Sequence, residues 1–165
     1  MSVTKVLVTG GQGQLGVTLR QTVPEGMEAV YVDIDALDIT RLEAVEEFVG
    51  RLKPEVVINA AAYTAVDKAE SDEDAAYRVN CTGVANLAIA AAANNARVLH
   101  VSTDFVFDGN AGRPYLPDAP VSPLGVYGRS KAAGEQELRK YLPDHSVIVR
   151  TAWLYSAVGS NFMKT

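Results

Sequence analysis

Cysteine is almost missing from this chain. Cys81 is the only one among 165 residues, so no internal disulfide can form, which fits a reducing compartment. No uninterrupted apolar run approaches the ~18 residues of a membrane span. The N-terminus reads at once as a strand and not as a signal peptide. A soluble, cytoplasmic protein with no membrane partner is therefore expected. Basic runs are absent as well, and the formal net charge is −5, which argues against a nucleic-acid partner. No repeat of fixed period appears. What is present suits one globular domain with a proper core: 48% of residues are apolar and 21% charged, ordinary proportions for such a chain.

Val3 to Thr9 is rich in β-branched residues and is followed by turn signals, which predicts a buried strand. Gly10-Gly11-Gln12-Gly13-Gln14-Leu15-Gly16 comes next, then a helical pattern over Val17–Thr22. Glycines at 10, 13 and 16 suit a tight strand-to-helix turn that lets a pyrophosphate approach the backbone. The strand before and the helix after supply the context that makes such a triplet a dinucleotide site. Ala29–Val32 reads as the second strand and ends at Asp33, close to the ~20-residue offset of an acid that binds the adenosine ribose. Asp38-Ile39-Thr40 follows, with Thr40 and Glu43 expected to form a capping box. Leu42, Val45, Phe48, Val49 and Leu52 make the buried stripe of a helix that Pro54 ends.

Val56–Asn59 reads as the third strand, and the small residues of Ala60-Ala61-Ala62-Tyr63-Thr64 would let a ligand approach its carboxyl end. Residues 66–70 read as a polar loop. Ser71 with Asp74 is expected to start an alanine-rich helix running to Asn94. Asn80, inside it, is either satisfied locally or has a structural or relay role. Arg97–Val101 is the fourth strand, with His100 as a packed strand histidine, and it runs out into Ser102-Thr103-Asp104. Residues 108–125 form a long loop stiffened by four prolines, and loops of that length are usually functional. Ser146–Arg150 is the fifth strand. Trp153, beyond it, is either a core residue or a ligand contact.

Tyr127 and Lys131 open the helix before that last strand. Their spacing puts them on one helical face, about one turn apart. A lysine ammonium near a phenol lowers the tyrosine pKa and makes Tyr127 a plausible general acid. Thr103 adds a hydroxyl if the strand end faces that helix. The strand–helix alternation predicts an α/β fold: a Rossmann-like, doubly wound parallel sheet in three α/β/α layers. In such an order strand four is expected beside strand one at the switch point, with the nicotinamide between them.

The blocks Thr9–Gly16, Asn59–Glu70, Ser102–Phe107, Tyr127–Lys131, Arg150–Trp153 and Asn161–Thr165 together resemble the dTDP-4-dehydrorhamnose reductase family of extended short-chain dehydrogenases/reductases. The resemblance covers the whole chain. It implies a cytoplasmic oxidoreductase of dTDP-rhamnose and cell-wall polysaccharide biosynthesis that reduces the C4 ketone of dTDP-4-dehydro-L-rhamnose. Thr103, Tyr127 and Lys131 would be catalytic, with Lys131 holding the nicotinamide ribose and depressing the Tyr127 pKa. Thr103, Asp104 and Trp153 would contact the dTDP-sugar. Cofactor contacts are expected from Gly10, Gln12, Gly13, Gln14, Leu15, Gly16, Asp33, Asp38, Ile39, Ala60, Ala61, Ala62, Tyr63, Thr64, Ser102, Tyr127 and Lys131, with no metal. NADH is expected over NADPH, because Asp33 is followed by Ile34 and Asp35 and no Lys or Arg lies between Arg20 and Arg41. A homodimer is the candidate assembly. Phe105 stands where the family usually has tyrosine, so one hydroxyl contact is missing. Family members are nearly twice as long, and residues 1–165 are expected to be an incomplete NAD(P)-binding domain with the substrate domain missing. The non-catalytic regulatory subunit of methionine adenosyltransferase and other nucleotide-sugar reductases or epimerases resemble the same motifs and stand as alternatives.

Overall fold

A computed structural model describes residues 3–159 and 161–164; Thr165, the last residue of the family-like block at the C-terminus, lies outside them. Five strands form one parallel sheet: β1 (Thr4–Thr9), β2 (Met27–Val32), β3 (Val56–Asn59), β4 (Arg97–Thr103) and β5 (Ser146–Thr151), in the order β2-β1-β3-β4-β5. Because the strands are parallel, Thr9, Asn59 and Thr103 all end at one carboxyl edge. The expected adjacency of strands one and four is incorrect. β3 lies between them, pairing Thr9 with Asn59 on one side and Asn59 with His100 on the other. No strand forms between β2 and α2 (Leu42–Leu52) among the described residues, so the chain crosses straight from β2 to β3.

The helices between strands are α1 (Gln14–Arg20), α2, α3 (Val66–Ala69), α4 (Glu73–Tyr77), α5 (Gly83–Ala93) and α6 (Val126–Tyr141). α2 packs on α5 and α5 on α6, so these three share one face of the sheet. Right-handed crossovers put α1 on the other face, because β1-to-β2 runs opposite to the later connections. The core lies under the shared face. Leu7, Val57 and Val98 of the sheet meet Val45, Val49, Leu87 and Leu138 of the helices. On the opposite face β5 leaves Val147 58% exposed and Val149 39% exposed.

Local details depart from the sequence pattern in several places. Thr40 does not cap α2: its Oγ1 donates to Asp38 Oδ1 at 2.7 Å, and Arg41 sits at the N-cap without a side-chain bond. Ser71 likewise donates to the Lys68 carbonyl at 3.1 Å, and Asp72 precedes α4. In both cases the helix begins one residue later than a cap at that hydroxyl would set it, and the hydroxyl bonds within the preceding turn instead. Residues 66–69, expected as loop, make one helical turn (α3). The long alanine-rich helix is interrupted by a π-helical turn at Arg78–Thr82. After β5 the described residues form one 3₁₀ turn, Phe162–Lys164.

Candidate functional site

The glycine turn is built by close backbone packing. Gly10 has φ +70°, and a Cβ there would sit 2.7 Å from the Ala60 carbonyl carbon and Ala61 nitrogen. A Cβ on Gly16 would collide with the Gly10 carbonyl and the Gly11 backbone. These two glycines therefore bring β1, the β3 exit and α1 together. Gly13 is different: it is exposed, only the Gly10 carbonyl oxygen lies near its Cβ position, and it precedes α1 with no side-chain cap. The backbone at Gly13 is where an anion can approach. Asp33 closes the other side of the turn, accepting Gln12 N–H and Ile34 N–H, each at 2.9 Å. Ile34 points outward, 74% exposed.

Other expected cofactor contacts sort by what their side chains do. Asp38 is bound by Thr40, whose hydroxyl and N–H hold its carboxyl below the usual carboxylate range despite partial desolvation. Ile39 is a core residue. Its side chain fills the space a Cβ on Gly83 would need, and its carbonyl accepts from Asn86 Nδ2 at 2.9 Å. Ser102 is buried and donates to Glu135 Oε1 at 2.6 Å. Ile39 and Ser102 can meet a ligand only through backbone. Gln14 is half-buried and engaged by the segment after β5: its Nε2 donates to the Leu154 carbonyl at 2.8 Å, and its Oε1 accepts from Asn161 Nδ2 at 3.3 Å. Leu15 is half-buried on α1. The Ala60–Thr64 segment hangs on two asparagines. Ala61 N–H donates to Asn59 Oδ1 at 3.2 Å, and Tyr63 gives its N–H to Asn80 Oδ1 at 2.9 Å while its carbonyl accepts from Asn80 Nδ2 at 3.1 Å.

Helix α6 is pressed onto the carboxyl edge by two glycines. A Cβ on Gly128 would overlap the Phe105 carbonyl, and one on Gly134 the Asn80 carbonyl that the π turn thrusts outward. Glu70 completes the docking by accepting the first helical N–H, that of Val126, at 2.7 Å. The result brings Tyr127 to Thr103. Thr103 also donates to Asp104 Oδ1 at 3.1 Å and accepts Phe105 N–H at 3.2 Å, and the Phe105 ring meets Tyr127 edge-on at 5.6 Å.

The expected depression of the Tyr127 pKa is overturned. Burial pushes the phenol above its ordinary value of 10.0, the Thr103 hydroxyl pulls it down, and the Asp104 carboxylate pushes it up. Lys131 is not aimed at it in this state. Its Nζ donates to the Val101 carbonyl at 2.7 Å and lies 3.4 Å from His100 Nε2. Burial lowers Lys131 from 10.5 to about 8, opposed by Glu135. Trp153 is not a core residue: it is 66% exposed, takes φ +52°, and packs against Phe162 at 5.0 Å. Beside Asp104 a cleft of about 400 Å³ opens under the proline-rich loop, lined also by Tyr115, Arg150 and Ala152. Asn59, Glu70 and Glu135 support the site without being among its expected contacts. The sequence signals for Asn59 are its place at the head of a family-like block and its position as a polar residue closing an apolar strand at the ligand edge. Among the described residues no cluster of His, Cys, Asp and Glu could hold a metal. No helix among them is long and apolar enough to cross a membrane.

This sheet, with its glycine turn after β1 and a Tyr/Lys helix at the carboxyl edge, is a Rossmann-like fold of the short-chain dehydrogenase/reductase and epimerase type. Residues 4–165 match the family described as RmlD substrate binding domain, and the chain belongs to that family. It is 45% identical over 163 residues to the dTDP-4-dehydrorhamnose reductase of Aggregatibacter actinomycetemcomitans, covering 98% of this chain and 55% of the relative. The crystal structure of dTDP-4-dehydrorhamnose reductase from Bacillus anthracis in complex with NADP is similar at a TM-score of 0.96 and 38% identity, over 99% of this chain and 58% of that one. UDP-glucose 4-epimerase from Thermus thermophilus in complex with NAD is similar at 0.80 and 25% identity, over 89% and 54%. The chain spans about half the length of the curated relatives it matches.

Proposed function

We propose that this chain carries the cofactor-binding and proton-donating part of a nucleotide-sugar reductase that converts dTDP-4-dehydro-L-rhamnose to dTDP-L-rhamnose. The supporting observation is the meeting of Thr103 and Tyr127 at the carboxyl edge of the sheet that also carries the glycine turn. The names of the relatives point to the same reaction. A nicotinamide cofactor would supply hydride to the C4 carbonyl carbon. The Gly10–Gly16 turn, Asp33 and the Ala60–Thr64 segment would hold it, and the open backbone at Gly13 and the uncapped start of α1 fit its pyrophosphate. Thr103 would hydrogen-bond the ketone oxygen, and Tyr127 would give its proton to that oxygen as negative charge develops. A phenol whose pKa is raised by burial keeps its proton at neutral pH, which suits the reducing direction. Asp104 and Trp153 would contact the sugar at the mouth of the neighbouring cleft.

NADH is the proposed cofactor over NADPH. The Asp33 and Asp35 carboxylates flank an exposed Ile34, and a 2′-phosphate there meets like charge. The fold does bring cations closer than the sequence suggested. Arg41 and Arg51 line a cleft of about 270 Å³ with Ile34 and Asp35. Arg41 faces the Asp38 carboxylate there, and Arg51 lies 4.0 Å from Glu47.

Tyr127→Phe in the complete protein tests the mechanism. Turnover of dTDP-4-dehydrorhamnose should fall by roughly 100-fold or more, as for loss of a general acid, with cofactor affinity nearly unchanged. Turnover within a few-fold of wild type rules Tyr127 out as the proton donor.

A further inference from the structure

His100 is fully buried in β4, and Lys131 is 2% exposed on α6. A hydrogen-bonded chain joins them to the end of β1. Thr9 Oγ1 donates to Asn59 Oδ1 at 2.7 Å, Asn59 Nδ2 lies 3.0 Å from His100 Nδ1, and His100 Nε2 lies 3.4 Å from Lys131 Nζ. The protons along this chain follow from its one fixed donor. Ala61 N–H points at the Asn59 side-chain oxygen at 3.2 Å. A backbone N–H cannot accept, so the amide oxygen must face it, and the amide nitrogen must face His100. Asn59 Nδ2 then donates to His100 Nδ1, which has to be bare. A neutral imidazole so held carries its proton on Nε2, the nitrogen turned toward Lys131. A doubly protonated ring would set N–H against N–H at Asn59. Burial and the lysine charge both oppose that ring form, holding the His100 pKa well below its ordinary value.

An ammonium has three donors and no lone pair. Facing His100 Nε2–H, it meets a donor with a donor; a free amine accepts. We propose that His100, locked by Asn59 as the Nε2–H tautomer, is a positioning residue that lowers the proton affinity of Lys131, whose Nζ donates to the Val101 carbonyl at 2.7 Å. Few other charges face Lys131. On α6 these are Glu135, already paired with Arg150 of β5 at 2.6 Å, and Tyr127 one turn back. The turn after β4 offers Asp104, which acts on Tyr127. The π turn packed on α6 offers the neutral Asn80. Burial, opposed by the Glu135 charge, leaves Lys131 at about 8; the facing N–H acts in the same direction as burial. The mechanistic consequence rests on the reductase reading: a lysine that gives up its charge more readily pulls less on the Tyr127 phenol, which keeps its proton until it is needed.

The test is nuclear magnetic resonance of the 165-residue chain, labelled with ¹³Cε-lysine and ¹⁵N-histidine. His100 should show a protonated Nε2 and a bare Nδ1 throughout the range in which the chain is folded. Lys131 should titrate at or below about 8. In His100→Phe its proton affinity should rise by about tenfold or more, one pKa unit. His100→Gln, which returns an N–H donor near the Nε2 position, should keep the low midpoint. A proton on Nδ1, an imidazolium near neutral pH, an ordinary lysine midpoint, or a midpoint unmoved by His100→Phe overturns the proposal. If His100→Phe does not fold, the wild-type tautomer and midpoint decide alone. None of these readouts uses cofactor or substrate, so their failure leaves the reductase reading standing, and an inactive complete protein leaves them untouched.

Discussion

Glu135 holds more of this molecule together than any other buried charge on α6. It is 1% exposed. Its Oε1 accepts from Ser102 Oγ at 2.6 Å and Arg150 Nε at 2.9 Å, and its Oε2 from Arg150 Nη2 at 2.6 Å. Arg139 lies 3.7 Å away but is more than half exposed, so it adds little. Arg150 in turn reaches into the proline-rich loop. It donates to the Pro117 carbonyl at 3.2 Å and lies over the Phe107 ring at 4.9 Å, and Phe107 stacks on Tyr115 at 4.2 Å. Glu135→Ala strands a largely buried guanidinium, at a cost of about 3–5 kcal/mol. It also removes the acceptor of Ser102, worth about 1 kcal/mol more. A loss of about 4–6 kcal/mol is comparable to the whole stability of many domains, so this variant should unfold at far lower urea. Glu135→Met with Arg150→Met should recover most of the loss, because no charge is then left unpaired. Urea titration of wild type, Glu135→Ala and the double methionine variant measures both effects. A Glu135→Ala loss under about 1 kcal/mol would show that solvent screens the pair and refute this account.

Gly128→Ala should lift α6 from the Phe105 carbonyl at a cost of about 1–3 kcal/mol, and in the complete protein lower kcat more than it raises KM for cofactor. An unchanged kcat would show that Tyr127 does not depend on this packing. Lys131 has a folded pKa of about 8 against an ordinary 10.5, so the unfolded chain binds more protons between those values and wild type gains stability as pH rises through them. The stability of Lys131→Met relative to wild type should therefore be greatest below pH 8 and decline toward pH 10.5, read from urea midpoints across that range; a pH-independent difference contradicts the burial argument. Ile34→Arg should shift kcat/KM toward NADPH by giving a 2′-phosphate a bidentate partner, measured for both cofactors at fixed ionic strength; no shift would place the adenosine ribose away from Asp33.

The sequence by itself determined the five strands and the principal helices. β-branched apolar runs alternating with helical patterns read as parallel strands between helices, Pro54 ends a helix through its ring, and a glycine triplet between strand and helix admits few backbone paths. It also put Tyr127 and Lys131 on one helical face, since that depends only on 3.6 residues per turn. The tertiary structure alone decided where those faces point. Strand order is set by which crossovers pack, so β3 rather than β4 came to lie beside β1. Lys131 meets Val101 and His100, some thirty residues earlier, and no local pattern encodes that meeting. The capping boxes are displaced at short range in the same way: how the preceding turn closes starts each helix one residue beyond the hydroxyl. His100 shows the division most clearly. Its burial was legible from an apolar strand, but which of its nitrogens carries the proton depends on Asn59, a residue of another strand fixed by a backbone N–H two residues further on.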